Sequence, residues 1–172
     1  RDSYPYRAIS VFALHPIYLD MSVFREILTD TEKAEFDAQQ KSLNTLKTVD
    51  YEAVLDAKWH YIKIGYDKLS KNIFSSMAFL DFFAQNRNWL DPYAAFCYLR
   101  DLHHTSDYSQ WGEFAKYSKD KLKKLSTSGL NLHYFVQFLL HQQLKSASDY
   151  AHALGVGLKG DMASGIAHDS AD

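Results

Sequence analysis

Hydrophobic positions recur at helical spacing along most of this chain, and the exceptions lie at its two ends. From Asp50 the apolar residues Leu55, Trp59, Ile62, Tyr66, Leu69 and Ile73 fall at intervals of four, three, four, three and four. That spacing gathers them on one side of a single long helix, the side that meets a partner. About two and a half heptads are present, so ordinary bundle packing suits the stripe better than a coiled coil. Upstream, Ser22 is expected to cap a short helix through Leu28, and Thr29 or Asp30 to start another through about Leu43. Downstream, Ser75 or Ser76 begins MAFLDFFAQNRN. Asp91-Pro92 then reads as a fresh N-cap and first helical residue, opening PYAAFCYLRDLHH, which should end near Thr105. Asp107 begins a further helix with Trp111 and Phe114 inward.

The last helical pattern is the best defined. Leu132, Phe135, Val136, Leu139, Leu140, Ala147, Tyr150, Ala151 and Leu154 mark one face, and Gly155 stands where a left-handed C-terminal cap wants a glycine. VGLKGD, from Val156, is too short and branched for another helix and predicts a buried strand. Helix, glycine cap, strand and polar turn make one repeat of an α/β architecture. The opening RDSYPYRAISVFALHPIYLD has Pro5 and Pro16 and no helical period, so it predicts a looping segment with a short strand at Ile17 to Asp20. No internal repeat, linker or low-complexity tract interrupts the rest.

Composition narrows the function more than the fold. The 172 residues are 47% apolar, enough for one sizeable core, while seven Gly and three Pro are few for a many-stranded sandwich. A net charge of −2 argues against a nucleic-acid partner, and Lys119, Lys121, Lys123 and Lys124 are explained by a solvated helix face. HYFVQFLLH is too short to span a bilayer, so no membrane role is expected. The lone Cys97 forms no internal disulfide and fits a reducing cytoplasm, where the protein is expected to reside. No signal peptide is evident, and a start at Arg1 rather than methionine suggests a processed chain or an excised piece.

Chemistry is sparse. Eight histidines invite a metal centre, and His103-His104 with His168-Asp169 loosely resemble the ligands of metal-dependent phosphohydrolases. His133 and His141 lie two turns apart, too far to share an ion, and surface or hydrogen-bonded histidines are the better account. Cys97 falls in an aromatic helical stretch and belongs in the core. Asp161 follows the expected strand, where α/β enzymes place site carboxylates, but no second acid pairs with it convincingly. Tyr4 and Tyr6 flank Pro5 as either buried staples or exposed platforms for a sugar face; composition favours burial.

Three ordered segments then carry a resemblance. DSYPYRAISVFALHPIYLD resembles the SPY…S.FA.NP segment of the 4-alpha-glucanotransferases (amylomaltases, disproportionating enzymes). NWLDPYAAFCYLRD is similar to their WLDDYALFMAL segment, and FVQFLLHQQLKSASDYAHALGVGLKGD to the run into their GD.PI.VA.DSADVW motif. The ALHP form is most similar to the branch with the cytosolic plant-type enzymes. The resemblance implies a mainly α piece of a (β/α)8 barrel: an extended substrate loop over 1–20, a helical insertion over 21–128, and a barrel helix, strand and turn over 129–172. It implies transfer of α-1,4-glucan segments between maltooligosaccharides with retention, through a glycosyl-aspartate and without metal or organic cofactor. Tyr6 matches a glucan-contacting tyrosine, with Tyr4 beside it; Asp161 matches the substrate-binding aspartate, and Asp169 and Ser170 the DSAD that follows. Met162 to Ser164 stand where Pro-Ile is usual, and no Arg-x-Asp-His occurs, so the family's nucleophile motif is missing and the chain alone is expected to be inactive. A non-catalytic helical binding module is the main alternative. The Val156–Gly160 strand, lacking neighbours here, is expected to pair with a second copy rather than with Ile17 to Asp20.

Overall fold

A computed structural model describes residues 8–160 and 167–172. Among these described residues six helices follow in chain order: α1 Ser22–Arg25, α2 Asp30–Asn44, α3 Tyr51–Phe74, α4 Met77–His103, α5 Lys119–Leu122 and α6 Thr127–Ala153. Their starts are set by local side chains. Thr29 and Glu32 form a reciprocal capping box on α2, Asp50 accepts from the Ala53 N–H on α3, and Ser76 and Ser126 do the same for α4 and α6. At the end of α6, Gly155 takes a φ of 75° while its N–H donates to His152 and the Val156 N–H donates to Ala151. Those two bonds complete the glycine cap expected there.

α6 is the centre of the fold. Over 130–140 it is buried on two sides: Leu130, Tyr134 and Phe138 join α4 and Trp111 in one core cluster, while Phe135, Val136 and Leu140 join α1 and α3 in another. The α3 stripe turns inward as its spacing demands, with Ile62 fully buried. The expected α6 stripe holds through Leu140 only. Beyond it Leu144, Tyr150 and Leu154 are more than half exposed.

Several expectations are corrected. Asp91-Pro92 is no boundary: α4 runs through Pro92 without a break. An interior proline costs about 3 kcal/mol, and here ten buried α4 residues outweigh it. Asp91 is instead a buried acceptor, taking bonds from Tyr134 Oη at 2.8 Å and Arg87 Nε at 3.0 Å. Asp107 caps only the single 3-10 turn Tyr108–Gln110, because Gly112 follows at a φ of 56° and breaks the run. Trp111 is buried as expected. Ser22 is not the cap of α1; Asp20 accepts from both its N–H and its hydroxyl, at 3.0 and 2.7 Å.

Neither expected strand forms. Ile17 lies in the 3-10 turn Pro16–Tyr18, whose His15 imidazole accepts from the Ile17 N–H. Val156–Gly160 is irregular and exposed, and no segment among the described residues lies alongside to give it a ladder. An extended stretch becomes a strand only where a neighbour takes its hydrogen bonds.

The N-terminal segment is lashed down by helix side chains in place of a ladder. Gln137 accepts from the Leu14 N–H at 2.9 Å and donates to its carbonyl at 2.8 Å. Gln143, six residues on, brackets Asp20 identically at 2.8 and 3.0 Å. Lys58 donates to the carbonyls of Ile17 and Leu19 at 2.5 and 2.8 Å. No helix among the described residues is long and apolar enough to cross a membrane.

Candidate functional site

Residues 8–12 and 167–172 meet beside the C-terminal end of α4. The Ala167 N–H donates to the Ala8 carbonyl at 3.1 Å, and the Ala171 N–H to the Ile9 carbonyl at 2.8 Å. Asp172 fastens the junction across 162 positions: one carboxylate oxygen accepts from the Ser10 hydroxyl at 2.9 Å, the other from the Val11 N–H at 2.6 Å. The Ser10 oxygen in turn accepts from the Phe12 N–H at 3.2 Å. A carboxylate shared between a hydroxyl and a backbone amide is held in one orientation, since charge-assisted bonds are the stronger kind.

Two expected site residues lie on this junction. Asp169 accepts a short hydrogen bond from the Ser106 hydroxyl, in the loop after α4. Ser170 lines a cavity of about 250 Å³ together with Asp172 and His168. Tyr108, Trp111, Tyr117 and Lys121 also line it. His168 stacks on Tyr108 with ring centres 6.4 Å apart. The lining therefore combines aromatic rings with hydroxyl and carboxylate oxygens, an amphipathic mix suited to a ligand rich in hydroxyls. Tyr4, Tyr6 and Asp161, like the Met162–Ser164 departure, lie outside the described residues.

A second, smaller space of about 100 Å³ lies under the N-terminal segment, lined by Trp59, Tyr93, Cys97, Arg100 and His133. Burial dominates its chemistry. It lowers the His133 imidazole to about 4, with Asp101 opposing and Arg100 adding to the shift. It raises the Tyr93 phenol well above its usual range, and Cys97 raises it further. Both groups are neutral at ordinary pH, and Arg100, the charged residue of the lining, is paired with Asp101 at 3.0 Å.

The histidines do not converge. His103 stacks on Trp111 and His141 packs on Phe82, and no group of three metal-ligating side chains assembles among the described residues. Sequence reasoning missed Asp172, Ser10 and Ser106. Asp172 closes the DSAD run and was visible there; nothing local marked the two serines, whose partners are far along the chain.

The family model described as 4-alpha-glucanotransferase matches residues 1–172. The rice protein 4-alpha-glucanotransferase DPE2 is 41% identical over 99% of this chain and 19% of its own length. A 4-alpha-glucanotransferase of Chlamydia pneumoniae is 31% identical over 99% of this chain and 33% of its own. One from Clostridium butyricum is 26% identical over 98% of this chain and 34% of its own. The chain thus spans between a fifth and a third of the length of these relatives. No solved structure matches it.

Proposed function

This chain belongs to the 4-alpha-glucanotransferase family, and we propose on that basis that it is part of an enzyme passing α-1,4-glucan segments between maltooligosaccharides. The transfer proceeds with retention, through a glycosyl unit held on an aspartate. Retaining transfer needs a nucleophile and an acid/base carboxyl, and the family's nucleophile motif, Arg-x-Asp-His, occurs nowhere in these 172 residues. This chain accordingly contributes glucan contacts and performs no transfer alone.

One observation carries the reading. The segment that follows Tyr6 and the segment bearing Asp169 and Ser170, at opposite ends of the sequence, are hydrogen-bonded side by side. Tyr6, Tyr4 and Asp161 then serve as contacts from the same two segments, joined by Asp169 and Ser170. Asp172 positions this face by tying Ser10 and Val11. The exposed apolar residues Leu144, Tyr150, Leu154, Val156 and Leu158 are where the remaining barrel packs. In this chain alone, the exposed Val156–Gly160 segment is where two copies associate.

Calorimetric titration with maltoheptaose tests the substrate assignment. We expect a dissociation constant of about 1 mM or weaker, a modest value because much of the cleft is contributed from elsewhere. Ser170→Ala should weaken it several-fold, and cellohexaose, with β-linkages, should not compete. Maltoheptaose binding unchanged by Ser170→Ala, or displaced equally by cellohexaose, would refute the assignment. Glucose released from maltotriose by this chain, above a heat-killed control, would refute its inactivity.

A further inference from the structure

We infer that the cleft between α2 and α3 is a second saccharide site, taking one or two glucosyl units of an α-glucan. Its lining shares no residue with the terminal junction. The identity of the sugar rests on the function proposed above; the site itself rests on how α2 is held.

α2 has fifteen residues, none of them buried. Polar clamps fix it instead. Its capping box fixes the first turn, Lys68 reaches Glu32 at 3.0 Å, and Arg25 grips both oxygens of Asp37 at 2.5 and 2.9 Å. One aromatic contact anchors it to α3, Phe36 standing edge-on to Tyr61 at 4.8 Å. Beyond Phe36 the helix stands away from α3, leaving a cavity of about 330 Å³. Helices that close on one another fill such a face with interlocking apolar side chains. Here the face carries Gln39, Gln40 and Asn44 beside Leu43.

The lining selects a ligand class. The charges around the cleft are already engaged: Arg25 with Asp37, Lys58 with two backbone carbonyls, and Asp20 with Ser22. An anion such as a sugar phosphate finds no free cation there. The three carboxamides make no side-chain hydrogen bond among the described residues. Each presents a donor and an acceptor, which suits neutral hydroxyls. Beneath them Phe36, Tyr61, Leu19 and Val54 form an apolar floor, matching the C–H face of a pyranose ring. The volume is at the lower end of ligand pockets, about 300–1,000 Å³, so it holds a short stretch of glucan.

Two-dimensional 1H–15N spectra of the whole chain, titrated with maltose, test this. The side-chain NH2 signals of Gln39, Gln40 and Asn44 report the cleft, and the backbone amides of His168 to Asp172 report the junction. We expect the cleft signals to shift and saturate with maltose and to ignore glucose 1-phosphate. Gln40→Leu with Asn44→Leu, both at exposed positions, should weaken the response of Gln39 by about tenfold, as two lost hydrogen bonds imply. The junction signals should behave as in the parent chain. Cleft signals unmoved at about 10 mM maltose, well above the ~1 mM of a weak small-ligand site, overturn the proposal. So does a double variant that binds as before. Movement at the junction alone sinks the cleft and leaves the function intact; movement in the cleft alone supports the cleft and counts against the junction.

Discussion

Acid should destabilise this protein through one residue, His133. Its ring lies on the twice-buried part of α6, edge-on to Trp59 of α3 at 6.0 Å and to Tyr93 of α4 at 6.4 Å. Arg100 and Asp101 at the end of α4 are the charges that act on it, and burial outweighs both to hold the imidazole near 4. In the unfolded chain it titrates near 6.5. The folded value is depressed, so the contribution is complete above about pH 6.5 and declines as pH falls toward 4, where the unfolded state binds the extra proton. A gap of about 2.5 units is worth ~3 kcal/mol in full, and about 2 kcal/mol of it is lost by pH 5. Urea unfolding of the parent chain and His133→Leu, each at about pH 7.5 and about pH 5, isolates this part, because every other titrating group is common to both proteins. With a denaturant slope of about 2 kcal/mol/M, the parent's midpoint should fall by about 1 M more than the variant's. Leucine shifts the starting stability in either direction, so only the difference between the two pH drops counts. Equal drops would mean that His133 is hydrated or paired when folded, and the burial argument would be wrong.

Two further outcomes follow from the packing. Gln137→Leu keeps the bulk but leaves the Leu14 N–H and carbonyl without partners; it should cost about 2 kcal/mol and speed hydrogen exchange over 8–16, and unchanged exchange there would show that the clamp is not what holds the segment. Gly65→Ala should cost about 2–3 kcal/mol, since its Cβ would stand 2.3 Å from the fully buried Phe24 ring, whereas Gly129→Ala meets the half-buried Tyr98 at the same distance and should be nearly neutral; thermal melts giving both the same shift would refute the distinction.

What the sequence discloses about this fold is what depends on three or four neighbouring residues. Thr29 with Glu32, Asp50, Ser76 and Gly155 each announce a helix end because donor and acceptor lie within one turn. Asp91-Pro92 carries the same local signature, yet its outcome is decided by Tyr134, 43 positions away, and by the burial of α4. The N-terminal segment misleads for a similar reason. Its backbone partners are Gln137, Gln143 and Lys58, polar side chains that look solvent-facing until the helices are packed. The candidate site lies between these cases. Asp169 and Ser170 could be found because a family motif carries them, while Ser10 and Ser106 acquire meaning only once the segment 167–172 is packed against them.

The α6 stripe has a different physical cause. Leu132 to Leu140 and Tyr150 to Leu154 obey one periodicity, but only the first group finds a partner. A helix gains little by carrying large apolar residues into water, and Leu144, Tyr150, Leu154, Val156 and Leu158 are each more than half exposed. If the chain is one part of a longer barrel, as proposed, that periodicity describes a contact made with residues beyond these 172. The Val156–Gly160 segment fits the same account: its apolar, branched residues suit a strand buried on both faces, and it stays irregular where neither neighbour is at hand. With no neighbouring segment among the described residues to take its hydrogen bonds, the expected strand does not form there.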